Sequence, residues 1–149
     1  MYIPNGILSI LESSTLAYCN RIAQAMNTQL GLDFEVVLFD AYSENEPLPE
    51  KDIIGVYRLE FELDSHFIKG SFLLGVATLN DPQLFRLRKA SSFVLDQVKP
   101  EMKINLVTEN GDPVLGNLII MDGVAVLPVE GNTRPAKFFG IHFNSTATI

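Results

Sequence analysis

The stretch from Val56 to Asp64, VYRLEFELD, decides how this chain is read. Tyr57, Leu59, Phe61 and Leu63 alternate with Arg58, Glu60, Glu62 and Asp64. A period of two places the two sets on opposite faces of a strand. One face is buried and the other is wet, which predicts an antiparallel neighbourhood. The wet face is acidic. Asp64-Ser65 then reads as a turn, and Phe67 to Thr78 as the returning arm of a hairpin. Gly70 and Gly75 in that arm permit a bulge or a close contact.

Toward the N-terminus, Asp40 to Asp52 (DAYSENEPLPEKD) reads as a loop with two prolines and five acidic residues. Pro47 and Pro49 stiffen it, and neither suits a central strand. A loop this long in a compact domain is usually functional or disordered. Before it, the β-branched and aromatic run Phe34 to Phe39 reads as a short strand. Further back, Leu8, Leu11, Tyr18, Ile22, Met26 and Leu30 recur at spacings of three and four, with Thr15 and Ala25 beside them. That pattern predicts a helix from Ile7 to Leu30, started at Asn5 or Gly6 and stopped by Gly31. Its other side carries Ser13, Ser14, Asn20, Gln24, Asn27 and Thr28, and only Glu12 and Arg21 are charged there. Such a neutral face is either solvated or packed against another subunit.

Toward the C-terminus, Asn80-Asp81-Pro82 opens a second helix, with Asp81 as cap and Pro82 in the first turn. Leu84, Leu87, Ser91, Val94, Leu95 and Val98 form its core stripe, and Pro100 ends it. Phe85, Lys89 and Phe93 lie on the opposite side, where two phenylalanines ask for a cover from the same chain or from a neighbour. Lys103 to Glu109 reads as a strand ending at the hairpin signal Asn110-Gly111. Val114 to Met121 returns, and Asp122-Gly123 reads as a second turn leading into the short apolar run Val124 to Val129. After a polar stretch, Ala136 to Phe143 is the last strand, and 144–149 reads as a loose tail. The order is α-β-β-β-α-β-β-β, an α+β fold with a mainly antiparallel sheet and two helices on one face. The whole chain, 1–149, reads as a single domain.

Composition narrows the function. The chain has 149 residues, 47% of them hydrophobic, 19% charged, and a net charge of -7. That hydrophobic content excludes intrinsic disorder, and the charged fraction sits below the roughly 25% of ordinary soluble domains. Residues 1–64 hold 11 acidic and 3 basic residues, a balance of -8, whereas 65–149 hold 7 and 8, a balance of +1. An acidic half repels phosphate, which argues against a nucleic-acid grip. No run reaches the length of a membrane span, and no basic segment leads into an apolar one at the N-terminus, so an intracellular, soluble product is expected. Cys19 has no partner for an internal disulfide, and its place in the helix stripe predicts an inert buried thiol.

Catalytic signatures are missing from the sequence. His66 and His142 both fall at strand positions, where histidine is more often structural. No HExxH or CxxC supplies a zinc set, no glycine-rich loop cradles phosphate, and no GxSxG elbow is present. Two acidic clusters stand out: Glu44, Glu46, Glu50 and Asp52 in the loop, and Glu60, Glu62 and Asp64 on one strand face. The loop lacks a calcium-hand pattern. Either cluster reads as solvated surface or as an active site, since paired acids can catalyse or bind metal. On the second helix, Arg86, Arg88 and Lys89 form the one basic group. They suit an acidic patch such as the Glu44–Asp52 loop of another copy, a heterologous contact of the kind that builds rings or filaments.

The opening helix ILSILESSTLAYCNRIAQAMN, the loop SENEPLPEKD and the hairpin VYRLEFEL…FIKGSFLLGVAT, followed by NDPQLFRLRKASSFVLDQV and KFFGIHF, together resemble a tailed-phage tail terminator, or tail completion, protein. The resemblance is one of architecture and spans nearly the whole chain. It implies a non-enzymatic virion protein without cofactor or metal, made in the host cytoplasm. Such proteins form a homo-oligomeric ring, usually hexameric, that caps the head-proximal end of the tail tube and ends its polymerisation. The implied partners are the tail tube protein and a head-completion or neck protein, with DNA passing through the lumen unbound and no membrane involved. On that reading Glu44, Glu46, Glu50, Asp52, Glu60, Glu62 and Asp64 line the lumen or an interface, and Phe85, Arg86, Arg88, Lys89 and Phe93 join subunits. Other neck or tail-tube proteins, and a small-ligand-binding or enzymatic α+β domain using the acidic face, remain the alternatives.

Overall fold

A computed structural model of the chain describes residues 6–39, 49–63, 68–126 and 134–145. Its elements are α1 (Ile7–Leu30), β1 (Phe34–Leu38), β2 (Asp52–Leu63), β3 (Ile68–Ala77), α2 (Phe85–Gln97), β4 (Lys103–Val107), β5 (Pro113–Val126) and β6 (Ala136–Ser145). The fold is α+β in the expected order. All six strands join one sheet, arranged β1-β2-β3-β6-β5-β4. β1 pairs with β2 in parallel, and the remaining neighbours are antiparallel, so the sheet is mixed. Parallel pairing gives the acidic loop a topological reason for its length. A chain leaving β1 must travel back along the strand before β2 can begin.

Helix α1 has the predicted bounds, and Gly31 closes it in the left-handed region (φ 66°, ψ 34°). Its 24 residues reach about 36 Å, against roughly 24 Å across six strands. The ends therefore overhang, and Leu8 and Leu30, expected in the buried stripe, are exposed. Two polar residues assigned to the free side do structural work instead. The Val107 N–H donates to Ser14 Oγ at 2.9 Å, and Ser14 in turn donates to the Ile10 carbonyl at 2.6 Å. At the opposite rim the Phe34 N–H donates to Asn27 Oδ1 at 2.9 Å, while Asn27 Nδ2 donates to the Phe34 carbonyl at 3.1 Å. One helix thus pins both outer strands.

Both helices cover the same face of the sheet. Leu11, Ile22 and Met26 of α1 and Leu87, Ala90 and Val94 of α2 pack onto Ile54, Val56, Leu74, Val76, Ile120, Ile141 and Phe143. Cys19 lies in this cluster, and burial pushes its thiol up to about 12, out of reach of ordinary reactivity.

Three departures from the sequence pattern have local causes. Strand β2 begins at Asp52, not Val56, and Ile54 and Val56 are fully buried. Their even phase conflicts with the odd phase of Leu59 and Phe61, which also pack on the core. A bulge resolves the conflict: Arg58 and Leu59 together oppose Phe72, and Arg58 adopts φ 51°. The turn expected at Asp122-Gly123 is replaced by a continuous β5, in which Met121 is the extra residue between the pairs Ile120↔Phe143 and Asp122↔His142. The last strand also runs two residues further than predicted, so Asn144 and Ser145 belong to β6 rather than to a tail.

Helix α2 starts later than predicted. Pro82–Leu84 forms a short 3-10 turn in which Gln83 (φ 67°) and Leu84 (φ 59°) are left-handed, so the helix begins at Phe85. Asp81 remains the cap across this turn. Its carboxylate accepts from the Arg86 N–H at 3.3 Å and the Leu87 N–H at 3.0 Å, the bonds an adjacent cap makes. Burial acts to raise the Asp81 carboxyl, but those amides and the Arg86 guanidinium outweigh it and hold it below the usual carboxylate range.

Candidate functional site: the uncovered face of the sheet

Among the described residues the second face of the sheet carries no helix, and its two ends differ. At one end Gly55 pairs with Gly75, and Gly75 with Phe138. A Cβ on Gly75 would stand 2.6 Å from the Phe138 ring, and one on Gly55 2.6 Å from the Tyr57 ring. The glycines are a floor on which aromatic rings lie. Phe39 stacks on Tyr57 with centroids 4.1 Å apart, and Phe138 meets Tyr57 edge-on at 5.6 Å. Val37, Ile53 and Ala77 are buried beside them. Arg134 closes this end by donating to the carbonyls of Pro49 at 2.6 Å and Lys51 at 2.8 Å. Burial pushes the Tyr57 phenol up to about 12.

The other end is polar and open. Register brings Glu60, Ser71, His142 and Asp122 into one row across β2, β3, β6 and β5. His142 Nδ1 lies 2.7 Å from Asp122 Oδ1, with both side chains more than half exposed. The two bulges, at Arg58–Leu59 and at Met121, flank this row on the strands either side of β3 and β6. Bulges bend and twist a strand locally. Two hollows of about 330 and 260 Å³ open here and share Glu60, Ser71 and His142. Lys69 stands opposite Glu62 and lines the larger one, so the strand face read as acidic is partly balanced by a cation.

Glu60 and Glu62 are exposed on this face, and Glu50 is exposed at the end of the loop. Asp52 is not a surface acid: it is buried at the start of β2, where Arg86 Nε donates to it at 2.7 Å. Arg86 Nη2 also donates to the Leu79 carbonyl at 2.5 Å. Asp52 and Arg86, expected to meet between copies, meet within one chain. Phe85 is 58% exposed, and Arg88 and Lys89 are exposed beside it. Phe93 is half-buried against the core rather than sharing the Phe85 face. Eight residues at about 100° each carry it roughly 80° around the helix. Glu44, Glu46, Asp64 and His66 lie outside the described residues.

The Ser71–His142–Asp122 juxtaposition escaped sequence reasoning because Asp122 read as a turn and strand register is not written in any local motif. A histidine held by a carboxylate beside a serine has the composition of a nucleophile relay. Among the described residues, though, no hydrogen bond joins Ser71 to His142, and no group of three or more His, Cys, Asp or Glu is placed to hold a metal ion. Among the same residues, no helix is long and apolar enough to cross a membrane. No family model matches the chain, and none of the curated proteins is significantly similar to it.

Proposed function

We propose that this protein is a structural subunit that assembles in several copies into a ring, and that the ring is a tail terminator. It caps the head-proximal end of a phage tail tube, ends tube polymerisation and joins tail to neck while DNA passes through. The observation that carries the assembly reading is the set of large apolar side chains left in solvent by a chain whose helices already cover their face of the sheet. Leu115 is 95% exposed, and Leu8 and Phe85 are each 58% exposed. Isolated apolar residues are common on surfaces, but side chains of this size on several elements suit burial against another copy. The tail role draws on the architectural resemblance set out above. An acidic protein also suits a channel wall, because it repels the phosphate backbone it must let pass.

Light scattering after size exclusion, with negative-stain images, tests the reading. A closed ring of one stoichiometry is expected, alone or on purified tail tubes. A monomer that leaves tube length unchanged would overturn it. A second reading, a ligand-binding or hydrolytic site, is favoured by one observation, the Ser71–His142–Asp122 row beside the 330 Å³ hollow. Turnover of a model ester that disappears in both Ser71→Ala and His142→Ala would select it over the structural reading.

A further inference from the structure

We infer that the copies in this ring join front to back, with Phe85, Arg88 and Lys89 of one copy seated in the Glu60/Glu62 hollow on the open sheet face of the next. The inference rests on the ring reading and specifies its contact. Phe85, Arg88 and Lys89 lie within about one quadrant to either side of a single line along α2, since positions three and four apart share a helix face. All three are exposed. Arg86 is excluded from the contact, because its guanidinium is spent on Asp52 and on the Leu79 carbonyl. Together with the Asp81 carboxylate on the Arg86 and Leu87 amides, it fixes the start of the helix, so that the projecting ring and its two cations are held in place.

The receiving surface matches in sign. The hollow is about 330 Å³, and the side chains that line it from the open face are Glu60, Glu62, Lys69, Ser71 and His142. Lys69 offsets one carboxylate, and the hollow keeps a net negative charge for Arg88 and Lys89 to meet. The two surfaces sit on opposite sides of the fold, one on the helix layer and one on the bare sheet. Such a contact is heterologous, and repetition of it generates a ring or an open filament rather than a two-fold dimer. It also lays a helix over the uncovered face.

Charge reversal on each side tests the contact in the full chain. The helix variant is Arg88→Glu/Lys89→Glu and the sheet variant is Glu60→Lys/Glu62→Lys. Each alone is expected to lose the oligomer, with at least a tenfold weaker association and an unchanged thermal melt. Mixing the two restores a ring of alternating copies, since each reversed surface then faces its complement. Phe85→Ser, which changes no charge, is expected to weaken assembly as well. A wild-type ring that survives either reversal, or variants that melt normally yet stay apart when mixed, would overturn the inference and leave the ring reading standing. A wild-type chain that forms no ring, alone or on tubes, overturns both.

Discussion

Strands β3 and β6 carry two glycine–aromatic pairs, one on each face. Phe143 lies over Gly70 on the helix-covered side, and Phe138 lies over Gly75 on the other. Both rings are buried to within 2%. Phe143 sits among Phe61, Phe72 and the main core, whereas Phe138 is covered by Tyr57 and the closed end of the sheet. A face without helices is therefore not a face without a core. Among the described residues, half of it is dry and the half around His142 is exposed. The same two strands supply a structural surface and an exposed one a few residues apart.

The contrast can be broken by mutation. Phe143→Ala is expected to cost about 4 kcal/mol, because its cavity is walled by strands and helices that cannot collapse. Phe138→Ala is expected to cost about 3 kcal/mol, since side chains nearer the surface relax into the gap. Chemical denaturation measures both, and equal losses would mean that the two faces are equally core. Alkaline titration sharpens the picture. Burial raises the Tyr18 and Tyr57 phenols to about 12, so stability holds below pH 10 and falls between pH 10 and 12, where the unfolded chain ionises and the folded chain resists. Each phenol contributes at most about 1.4 kcal/mol per pH unit. Tyr57→Phe should make this fall shallower, and an unchanged slope would show the phenol to be solvated. The smallest effect belongs to the open end. His142→Ala is expected to shift stability by less than about 0.5 kcal/mol, because its pairing with Asp122 is exposed. A larger loss in a denaturant melt would make the His142 row part of the architecture.

Much of this fold is legible in the residues. The three-and-four spacing from Ile7 and the glycine after Leu30 define α1, because both are local. Even the β2 bulge has a trace: Ile54 and Val56 fall on one parity and Leu59, Phe61 and Leu63 on the other, and one extra residue is what reconciles them. What could not be read depends on distant residues. Asp122-Gly123 looks like a turn until β6 is present to pair on both sides of it. Asp81-Pro82 looks like a helix start, and nothing local reveals the left-handed pair at Gln83 and Leu84. The exposed row has the same origin. Glu60, Ser71, His142 and Asp122 become neighbours only through register, and Arg86 is removed from the surface only because Asp52 reaches it.

The pinning of both rims to α1 bears on how copies cannot meet. A bare strand edge is the template for fibril growth, because its free amides accept a strand from any other chain. Here the Val107 amide is occupied by Ser14, and the Phe34 amide and carbonyl are occupied by Asn27. Strand addition at those points would first have to pull the edge away from a 24-residue helix. Association by backbone zippering is thereby disfavoured at each border, and contacts between copies fall to side chains, which can be made, broken and corrected during growth.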